Sequence, residues 1–318
     1  MNDSYLKTFD NLFFDVEGNK EVKNIIEQAS FVLSSIITKF GEIENEISSG
    51  VSRQDDFTDI VVILFARKIM EQLDAINVLF AVGLFTQANI ILRSLIENIV
   101  SLEFILKEDT KKRAAAYYLE HHYQEIELGV EWFDENLEYG KLIIKNKGKK
   151  QFDNDYQKYK RKREAFERII KSKIVYQEVD EARKKKLKMK KKSGKKVYIQ
   201  WYEVCSTISS FYGLMKATGY EKYYKGIYGA LSYETHALNS TMDMNIDNDG
   251  VSLKWIRNPE GGGSTFSIAC TFSISVLRKI HKYLNDGEKE KIEFMNFFMD
   301  FQKKRDIASC NLDRIKKS

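Results

Sequence analysis

The chain has 318 residues, of which 43% are hydrophobic and 31% charged, and its formal net charge at pH 7 is +5. This apolar content is enough for a globular protein with a sizeable core. One proline and 17 glycines leave few obligatory breaks, which argues against an all-β fold with many turns and predicts a mostly α-helical protein.

The composition also argues against several kinds of site and location. The three cysteines are far apart and form no C-x-x-C pair, so neither a disulfide framework nor a zinc site is expected. The N-terminal segment lacks a basic region followed by an apolar stretch, so we expect no signal peptide and a cytoplasmic protein. Arg93, Glu97 and Glu103 interrupt the most apolar segment, which makes it a poor membrane span.

Three helices are predicted in the first third of the chain. Apolar residues recur every three or four positions over residues 19–48 and again over residues 56–82. Gly83 then marks a tight turn into residues 84–106, where 14 of 23 residues are apolar. We therefore expect the second and third helices to form an antiparallel hairpin, with the third at the centre of a bundle.

A fourth helix, rich in aromatic residues, is predicted over residues 111–137, and the character of the sequence then changes. Residues 141–200 contain 23 basic and 7 acidic residues, a local charge of +16 on a chain whose total is +5. We interpret residues 138–197 as a basic insertion, or arm, within a single helical domain that spans residues 1–318. The low complexity of residues 184–196 predicts a mobile tip.

Helical periodicity returns in the second half of the chain, over residues 201–218, 220–239, 266–284 and 289–306. Between them, residues 243–264 contain an Asn-Asp-Gly sequence, the only proline and three consecutive glycines. These residues predict a loop with one short β-hairpin near residues 250–257. The fold class predicted from the sequence is therefore an all-α multi-helix bundle.

The polar residues of the central helix are the first candidate site. Asn89, Arg93, Glu97 and Ser101 follow one another at steps of four, which places them in one narrow stripe on the helix surface. Arg93 and Glu97 have two interpretations. They are either a helix ion pair with a structural role, or a fixed cation beside the carboxylate that orients it.

Two sequence patterns carry a resemblance to a known family. The first is A-x3-L-R-S-x2-E, found here at Ala88, Leu92, Arg93, Ser94 and Glu97. The second is Y-x3-Y-x2-L-S-x3-H, which follows Trp201 and is found at Tyr224, Tyr228, Leu231, Ser232 and His236. Together they resemble a widespread bacterial family of helical domains of unknown function, over roughly residues 55–285. The resemblance implies an all-α fold and a set of recurring polar residues, and no established reaction.

The arrangement is also similar, more distantly, to HEPN-type helical bundles, which include metal-independent ribonucleases of toxin and anti-phage defence systems. In that class an Arg that holds the phosphate precedes, by about four to six residues, a His that moves a proton at the ribose 2′-hydroxyl. This sequence departs from the pattern, because seven residues separate Arg113 from His121 and two separate Arg278 from His281. HEPN-like chemistry here would have to combine distant residues, with Arg93 and His236 as the first choice.

These residues lead to two functional hypotheses of different classes. The first is a defence- or toxin-type effector acting on RNA, a metal-independent ribonuclease with His236 as acid and base and Arg93 as phosphate clamp. Glu97, Ser232 and Tyr228 would orient these two groups. The second is a non-catalytic helical module, in which the same residues lock the bundle and the basic arm binds nucleic acid or an acidic protein. Neither hypothesis needs a cofactor or a metal.

The basic arm has two interpretations as well. Lysines interleaved with aromatic residues suit phosphate-backbone binding with occasional stacking, whereas lysine runs are often only solubilising loops. The candidate nucleic-acid-binding residues are Lys184, Lys185, Lys186, Lys188, Lys190, Lys191, Lys192, Lys195 and Lys196. The candidate stacking residues are Phe152, Tyr156, Tyr159, Phe166 and Tyr176. The expected partners are RNA or another nucleic acid and a second copy of the chain in a homodimer, and no membrane.

Several motifs with known chemistry are absent from the sequence. It contains no phosphate-binding G-x4-G-K-[ST] loop, no Rossmann glycine pattern, no H-E-x-x-H and no G-x-S-x-G. Nucleotide hydrolysis, nicotinamide redox chemistry, zinc proteolysis and serine hydrolysis therefore lose their main support. The adjacent His121 and His122 point about 100° apart on a helix, which is poor for sharing a metal, and we expect them at the surface or an interface.

Overall fold

The structure is a computed structural model of the chain, and it describes residues 13–49, 57–192, 198–234, 244–247, 250–253, 255–258, 261–284 and 287–315. The predicted all-α fold is confirmed, because helices make up nearly all of the regular structure. The chain divides into two compact units, which are unit 1 (Met1–Leu106 and Met215–Ser318) and unit 2 (Lys107–Leu214). The prediction of a single domain over residues 1–318 stays a prediction.

The helices in chain order are α1 (Lys20–Ser49), α2 (Phe57–Ala81), α3 (Phe85–Lys107), α4 (Thr110–Trp132), α5 (Glu138–Lys147), α6 (Lys149–Ser172), α7 (Ile174–Lys192), α8 (Trp201–Val204), α9 (Phe211–Thr218), α10 (Glu221–Tyr223), α11 (Gly229–Glu234), α12 (Gly262–Leu284) and α13 (Glu288–Leu312). A π-helical turn, Tyr224–Tyr228, joins α10 to α11. Within the described part of the chain, no helix combines the length and apolar content needed to cross a membrane.

The core of unit 1 forms where helices present apolar stripes to one another. Helix α1 packs against α2, α12 and α13, and α12 also packs against α2 and α13. Helix α3 is apolar over most of its circumference, and its buried side chains include Leu92, Leu95, Ile96 and Ile99, none of which exposes any surface. A helix buried on most faces belongs at the centre of a bundle, as its sequence predicts.

The predicted hairpin of α2 and α3 is present. Gly83 turns the chain with a φ of +73°, a conformation that favours glycine. Across the hairpin, the Gln72 side-chain amide donates to the Ser94 hydroxyl over 2.8 Å, and the Asn98 amide donates to Oε1 of Gln72 over 3.0 Å. Gln72 and Ser94 each lie eleven residues from Gly83, so the two helices run antiparallel.

In unit 2, helix α4 packs against α5, α6, α7 and α8, and α6 packs against α5 and α7. The helix predicted over residues 111–137 ends earlier, at Trp132, because Asp134 forms a turn. Its carboxylate accepts the backbone N–H of Asn136 over 2.9 Å, and its carbonyl accepts the N–H of Leu137 over 3.1 Å. Such local bonds to an Asp side chain compete with helix continuation.

Residues 184–192 lie in α7, and the mobile tip predicted within residues 184–196 stays a prediction. Residues 193–197 lie outside the described residues. The prediction missed the apolar positions of this region. Phe152, Phe166, Tyr176 and Val179 are all at least 96% buried, so α6 and α7 have a packed inner face despite their many lysines.

One helix predicted in the second half of the chain is interrupted. Over residues 201–218 the structure has α8 and α9 with a break between them. Ser206 accounts for the break, because its hydroxyl donates to the carbonyl of Tyr202 over 2.6 Å and accepts the N–H of Ile208 over 3.1 Å. These side-chain bonds replace the helical ones.

The predicted β-hairpin is present and lies earlier in the chain than expected. Strand β1 (Met244–Asp247) pairs antiparallel with β2 (Gly250–Leu253). Helix α12 then begins at Gly262, inside the predicted loop. A Cβ atom on Gly262 would overlap the ring of Phe85, so a glycine lets α12 approach the start of α3.

Candidate functional site

Two segments that are distant in the sequence meet at Arg93, on α3 in unit 1. The Arg93 guanidinium donates through Nη2 to the hydroxyl of Tyr228 over 3.2 Å, and through Nε to Oε1 of Glu97 over 3.4 Å. Its central carbon lies 4.9 Å from the centre of the Tyr228 ring, within the range of a cation–π contact. Arg93 is therefore fixed both by its own helix and by the π-helical turn.

Tyr228 completes a three-residue network, the Arg93 cluster, which consists of Arg93, Glu97 and Tyr228. The Tyr228 hydroxyl donates to Oε1 of Glu97 over 2.5 Å, so it accepts from Arg93 and donates to Glu97 at the same time. Burial and the hydrogen bond to Glu97 raise the pKa of Tyr228 to about 12. The phenol is thus protonated near neutral pH and remains a hydrogen-bond donor.

The π-helical turn explains how Tyr228 reaches α3. Its wider ring closes with the N–H of Gly229 on the carbonyl of Tyr224, five residues earlier. The rings of Tyr224 and Tyr228 stack with centroids 5.5 Å apart. The Ser232 hydroxyl donates to the carbonyl of Tyr228 over 2.9 Å. Turns of this kind occur frequently at functional sites, because they re-aim a side chain within a helix.

The Arg93 cluster is open to solvent. The Arg93 side chain is 23% exposed and that of Glu97 is 42% exposed, so both charged groups are accessible to a ligand. A charge pair with this exposure contributes little to stability. Accessible charges that are nevertheless held by several hydrogen bonds can bind an anion with little loss of side-chain entropy.

A second polar cluster on α3, centred on Glu103, is buried and has a structural role, in contrast to the exposed Arg93 cluster. The Glu103 side chain exposes no surface, accepts from the hydroxyls of Tyr220 (2.6 Å) and Ser275 (2.9 Å), and forms an ion pair with Lys279. Burial and the nearby Glu103 carboxylate raise the pKa of Tyr220 well above its usual range. This cluster ties α3 to α12 and to the segment before α10, and substrate could not reach its carboxylate. It was not predicted from the sequence, because each partner of Glu103 lies more than 100 residues away in the chain.

The first residue of the predicted polar stripe also makes an interhelical bond. The side-chain carbonyl of Asn89 accepts from the hydroxyl of Thr265 on α12 over 2.6 Å. The stripe of α3 therefore faces α12 at Asn89 and the π-helical turn at Arg93 and Glu97. Ser101, the last residue of the stripe, is half-buried.

The structure brings together three of the five predicted site residues, which are Arg93, Glu97 and Tyr228. Ser232 lies one turn after Tyr228, and its hydroxyl bonds to the backbone of its own helix. His236 lies outside the described residues, so its predicted proximity to Arg93 stays a prediction. Among the described residues, no group of three or more His, Cys, Asp and Glu side chains is placed to hold a metal ion.

Three of the lysines predicted to bind nucleic acid are engaged within unit 2. Lys186 donates to the backbone carbonyls of Glu203 and Ser206, and Lys190 forms a 2.7 Å ion pair with the carboxylate of Glu203. Lys184 pairs with Asp180 over 2.5 Å. Lys185, Lys188 and Lys191 are exposed. Lys192 is the last residue of α7, and Lys195 and Lys196 lie outside the described residues.

Three of the predicted stacking residues, Phe152, Phe166 and Tyr176, are at least 96% buried. The expectation that they stack on bases is wrong for Phe152 and Tyr176, which pack inside unit 2, whereas Phe166 also borders a cavity between α4 and α6. The adjacent histidines, which were expected at the surface or an interface, differ in exposure. His121 is exposed, whereas the ring of His122 packs 5.1 Å from Phe166 and 4.7 Å from Tyr118.

Comparisons with known proteins place the chain in a family. The sequence model of the family described as "Family of unknown function (DUF5677)" matches residues 59–252, which is more than half of the chain. The matched range includes Arg93, Glu97, Tyr228, Ser232 and His236. A search of curated proteins and a search of solved structures each found no match. The chain belongs to the DUF5677 family, a family of unknown function.

Proposed function

We propose that the protein is a defence- or toxin-type effector that cleaves RNA without a metal, with the Arg93 cluster as its phosphate-binding site. The observation that supports this is the fixed and accessible guanidinium of Arg93, which Glu97 and Tyr228 orient. A planar guanidinium matches two oxygens of a phosphate, and its charge is retained at any physiological pH.

The reaction would be attack of the ribose 2′-oxygen on the adjacent phosphorus. The O2′–P bond forms and the P–O5′ bond breaks, which yields a 2′,3′-cyclic phosphate and a free 5′-hydroxyl. One group must take the 2′-hydroxyl proton and one must give a proton to O5′, and His236 is the residue proposed for proton transfer because histidine titrates near neutral pH. Arg93 would stabilise the negative charge that builds up on the non-bridging oxygens.

The two charged clusters of α3 differ in the exposure of their carboxylates, which indicates different roles. Glu103 is fully buried beside Lys279, as expected of an ion pair that fixes helices. Glu97 is 42% exposed, so burial of a charge does not explain why it is held by Tyr228. This contrast favours a functional role for the Arg93 cluster over a purely structural one.

Purified protein incubated with total RNA in EDTA tests the proposal, beside His236→Ala. The proposal predicts cleavage that EDTA does not inhibit, products with 2′,3′-cyclic phosphate ends, and loss of cleavage in His236→Ala with nearly unchanged thermal stability. Absence of EDTA-resistant cleavage at high protein concentration, for RNA of any sequence, would contradict it.

A non-catalytic module that binds nucleic acid is the second candidate, and a specific observation favours it. Exposed basic residues recur along α6 and α7, namely Lys150, Arg161, Arg168, Lys171, Lys185, Lys188 and Lys191. Such a surface attracts phosphates, and its affinity falls steeply with salt. RNA retention that weakens with salt, without any cleavage, would select this candidate.

A further inference from the structure

A cavity of about 610 Å³ lies in unit 2, and its lining residues come from α4, from α6 and from Phe133, which follows α4. Its volume falls within the range of small-molecule sites, roughly 300–1,000 Å³. The cavity itself was not predicted, since its walls come from two helices that are separate in the chain, although Tyr159 and Phe166 were among the candidate stacking residues.

The cavity has aromatic walls. Phe133 and Tyr159 stack with centroids 5.3 Å apart and an interplanar angle of 27°, and Phe166 and Trp132 also line the space. Trp132 is 45% exposed although it is large and apolar. A Cβ atom on Gly129 would overlap the Tyr159 ring, so a glycine in the last turn of α4 allows this ring to lie against the helix. Aromatic walls of this kind favour a flat, aromatic ligand.

A polar group of the wall lacks a partner. The Nε2 atom of His122 is buried without a hydrogen bond to any described residue, while Nδ1 lies 3.8 Å from the carboxylate of Glu125. Burial and the neighbouring His121 lower the pKa of His122, which keeps the ring neutral near pH 7. Because Nε2 exposes almost no surface, a ligand in the cavity does not reach this atom, and His122 contributes to the wall through other atoms of its side chain.

Two lysines line the same cavity. The side chains of Lys158 and Lys162 are 71% and 72% exposed, and they contact Asp155 at 3.1 Å and Glu125 at 3.4 Å. Exposed ion pairs of this kind are weak, so a phosphate can compete for both cations. Lysine is suited to binding phosphate as a point charge.

From these observations we propose that the cavity is a nucleotide-binding site that holds the base against Tyr159 and Phe133 and the phosphate at Lys158 and Lys162. The base comes either from a free nucleotide or from a single-stranded RNA. The inference does not depend on cleavage at Arg93, because the cavity lies in unit 2 and its occupancy can be measured without any reaction.

Isothermal titration calorimetry with the full chain tests the proposal. The probes are adenosine, AMP, UMP and an eight-nucleotide RNA with 2′-O-methyl groups, which resists cleavage through its 2′-oxygens. Three variants accompany the wild type. Lys158→Gln/Lys162→Gln removes the phosphate contacts, Ala165→Phe fills the cavity, and Lys160→Gln/Arg163→Gln is a control on the same helix with the same change in charge.

We expect a mononucleotide or the RNA to bind, adenosine to bind more weakly than AMP, and both cavity variants to lose affinity by roughly tenfold while the control retains it. Binding of AMP or UMP identifies a free nucleotide, and binding of the RNA alone identifies a base in a strand. The proposal fails if none of the probes binds, or if the cavity variants bind as the control does. Melting curves identify any variant that does not fold. If Ala165→Phe does not fold, Lys158→Gln/Lys162→Gln still tests the proposal, because both lysines are exposed and their replacement should not disturb folding.

Discussion

The hydroxyl of Tyr228 donates a 2.5 Å hydrogen bond to Glu97, a residue 131 positions earlier in the chain. This bond joins the π-helical turn to the central helix α3 and places the phenol between Glu97 and Arg93. A second tyrosine, Tyr220, makes a comparable bond to Glu103 over 2.6 Å. Glu103 exposes no surface and Glu97 is 42% exposed, so loss of the hydrogen bond should destabilise the protein more at Tyr220 than at Tyr228.

Replacement of each tyrosine by phenylalanine separates the two roles. Tyr220→Phe removes a donor to a fully buried carboxylate and should lower the free energy of unfolding by about 1.5–3 kcal/mol. Tyr228→Phe leaves Glu97, which water can reach, and should cost less than about 1.5 kcal/mol. Urea denaturation measures both values, and a larger cost for Tyr228→Phe would show that the Arg93 cluster is the structural one.

The ion pair of the fully buried Glu103 with Lys279, whose side chain is 41% exposed, should matter more than a pair that is exposed on both sides. Lys279→Met leaves the Glu103 carboxylate without its cation, so we expect a loss of about 3 kcal/mol in the free energy of unfolding. Lys68→Met is the matched control, because Lys68 and Glu71 are both more than half exposed, and its cost should stay below about 0.5 kcal/mol. Equal losses in the two variants would contradict this assignment.

Two glycines in helices should respond in opposite directions to alanine. Gly262→Ala places a methyl group against Phe85, which is 98% buried, and should destabilise unit 1 by about 1–3 kcal/mol. Gly41→Ala adds a methyl group where no atom lies within 4 Å, so the better helix propensity of alanine should stabilise by roughly 0.5–1 kcal/mol. Melting temperatures that shift in the same direction would contradict the packing described for α12.

His122 should make the stability of the protein depend on pH. Burial lowers its pKa in the folded state, so the unfolded chain binds the proton more tightly. The resulting stability is present above the unfolded pKa of about 6.5 and is lost as the pH falls towards the folded pKa. In His122→Gln the free energy of unfolding should therefore decline less steeply between about pH 7 and pH 5. Parallel curves for variant and wild type would show that His122 does not contribute.

The sequence predicted the parts of the fold that depend on local periodicity. The first helix, predicted over residues 19–48, is found at Lys20–Ser49, because apolar residues at steps of three and four specify both helix and buried face. The break after α8 was not predicted. It depends on the two hydrogen bonds that the Ser206 hydroxyl makes to the backbone of Tyr202 and Ile208, and sequence periodicity does not reveal such bonds. The helix over residues 184–192 was not predicted either. Its sequence is dominated by lysines, and α6 and α7 contain only a few buried apolar residues that would indicate a helical period.

The candidate site was predictable only where its residues are close together in the sequence. Arg93 and Glu97 are one helical turn apart, so their pairing follows from spacing. Tyr228 is 135 residues from Arg93, and only a resemblance could suggest that the two belong together. The partner of Glu103 could not be read from the sequence at all, because Lys279 lies 176 residues away.

The most direct test of the central claim is the rate of RNA cleavage, in EDTA, by Arg93→Lys compared with Arg67→Lys. Both changes keep the charge and remove a planar guanidinium, and Arg67 pairs with Glu44 over 2.9 Å on the outside of α2 with its side chain 65% exposed. The account predicts that Arg93→Lys lowers the rate by at least roughly tenfold while Arg67→Lys matches the wild type. Equal rates for the two variants, or no cleavage by the wild-type protein, would contradict it.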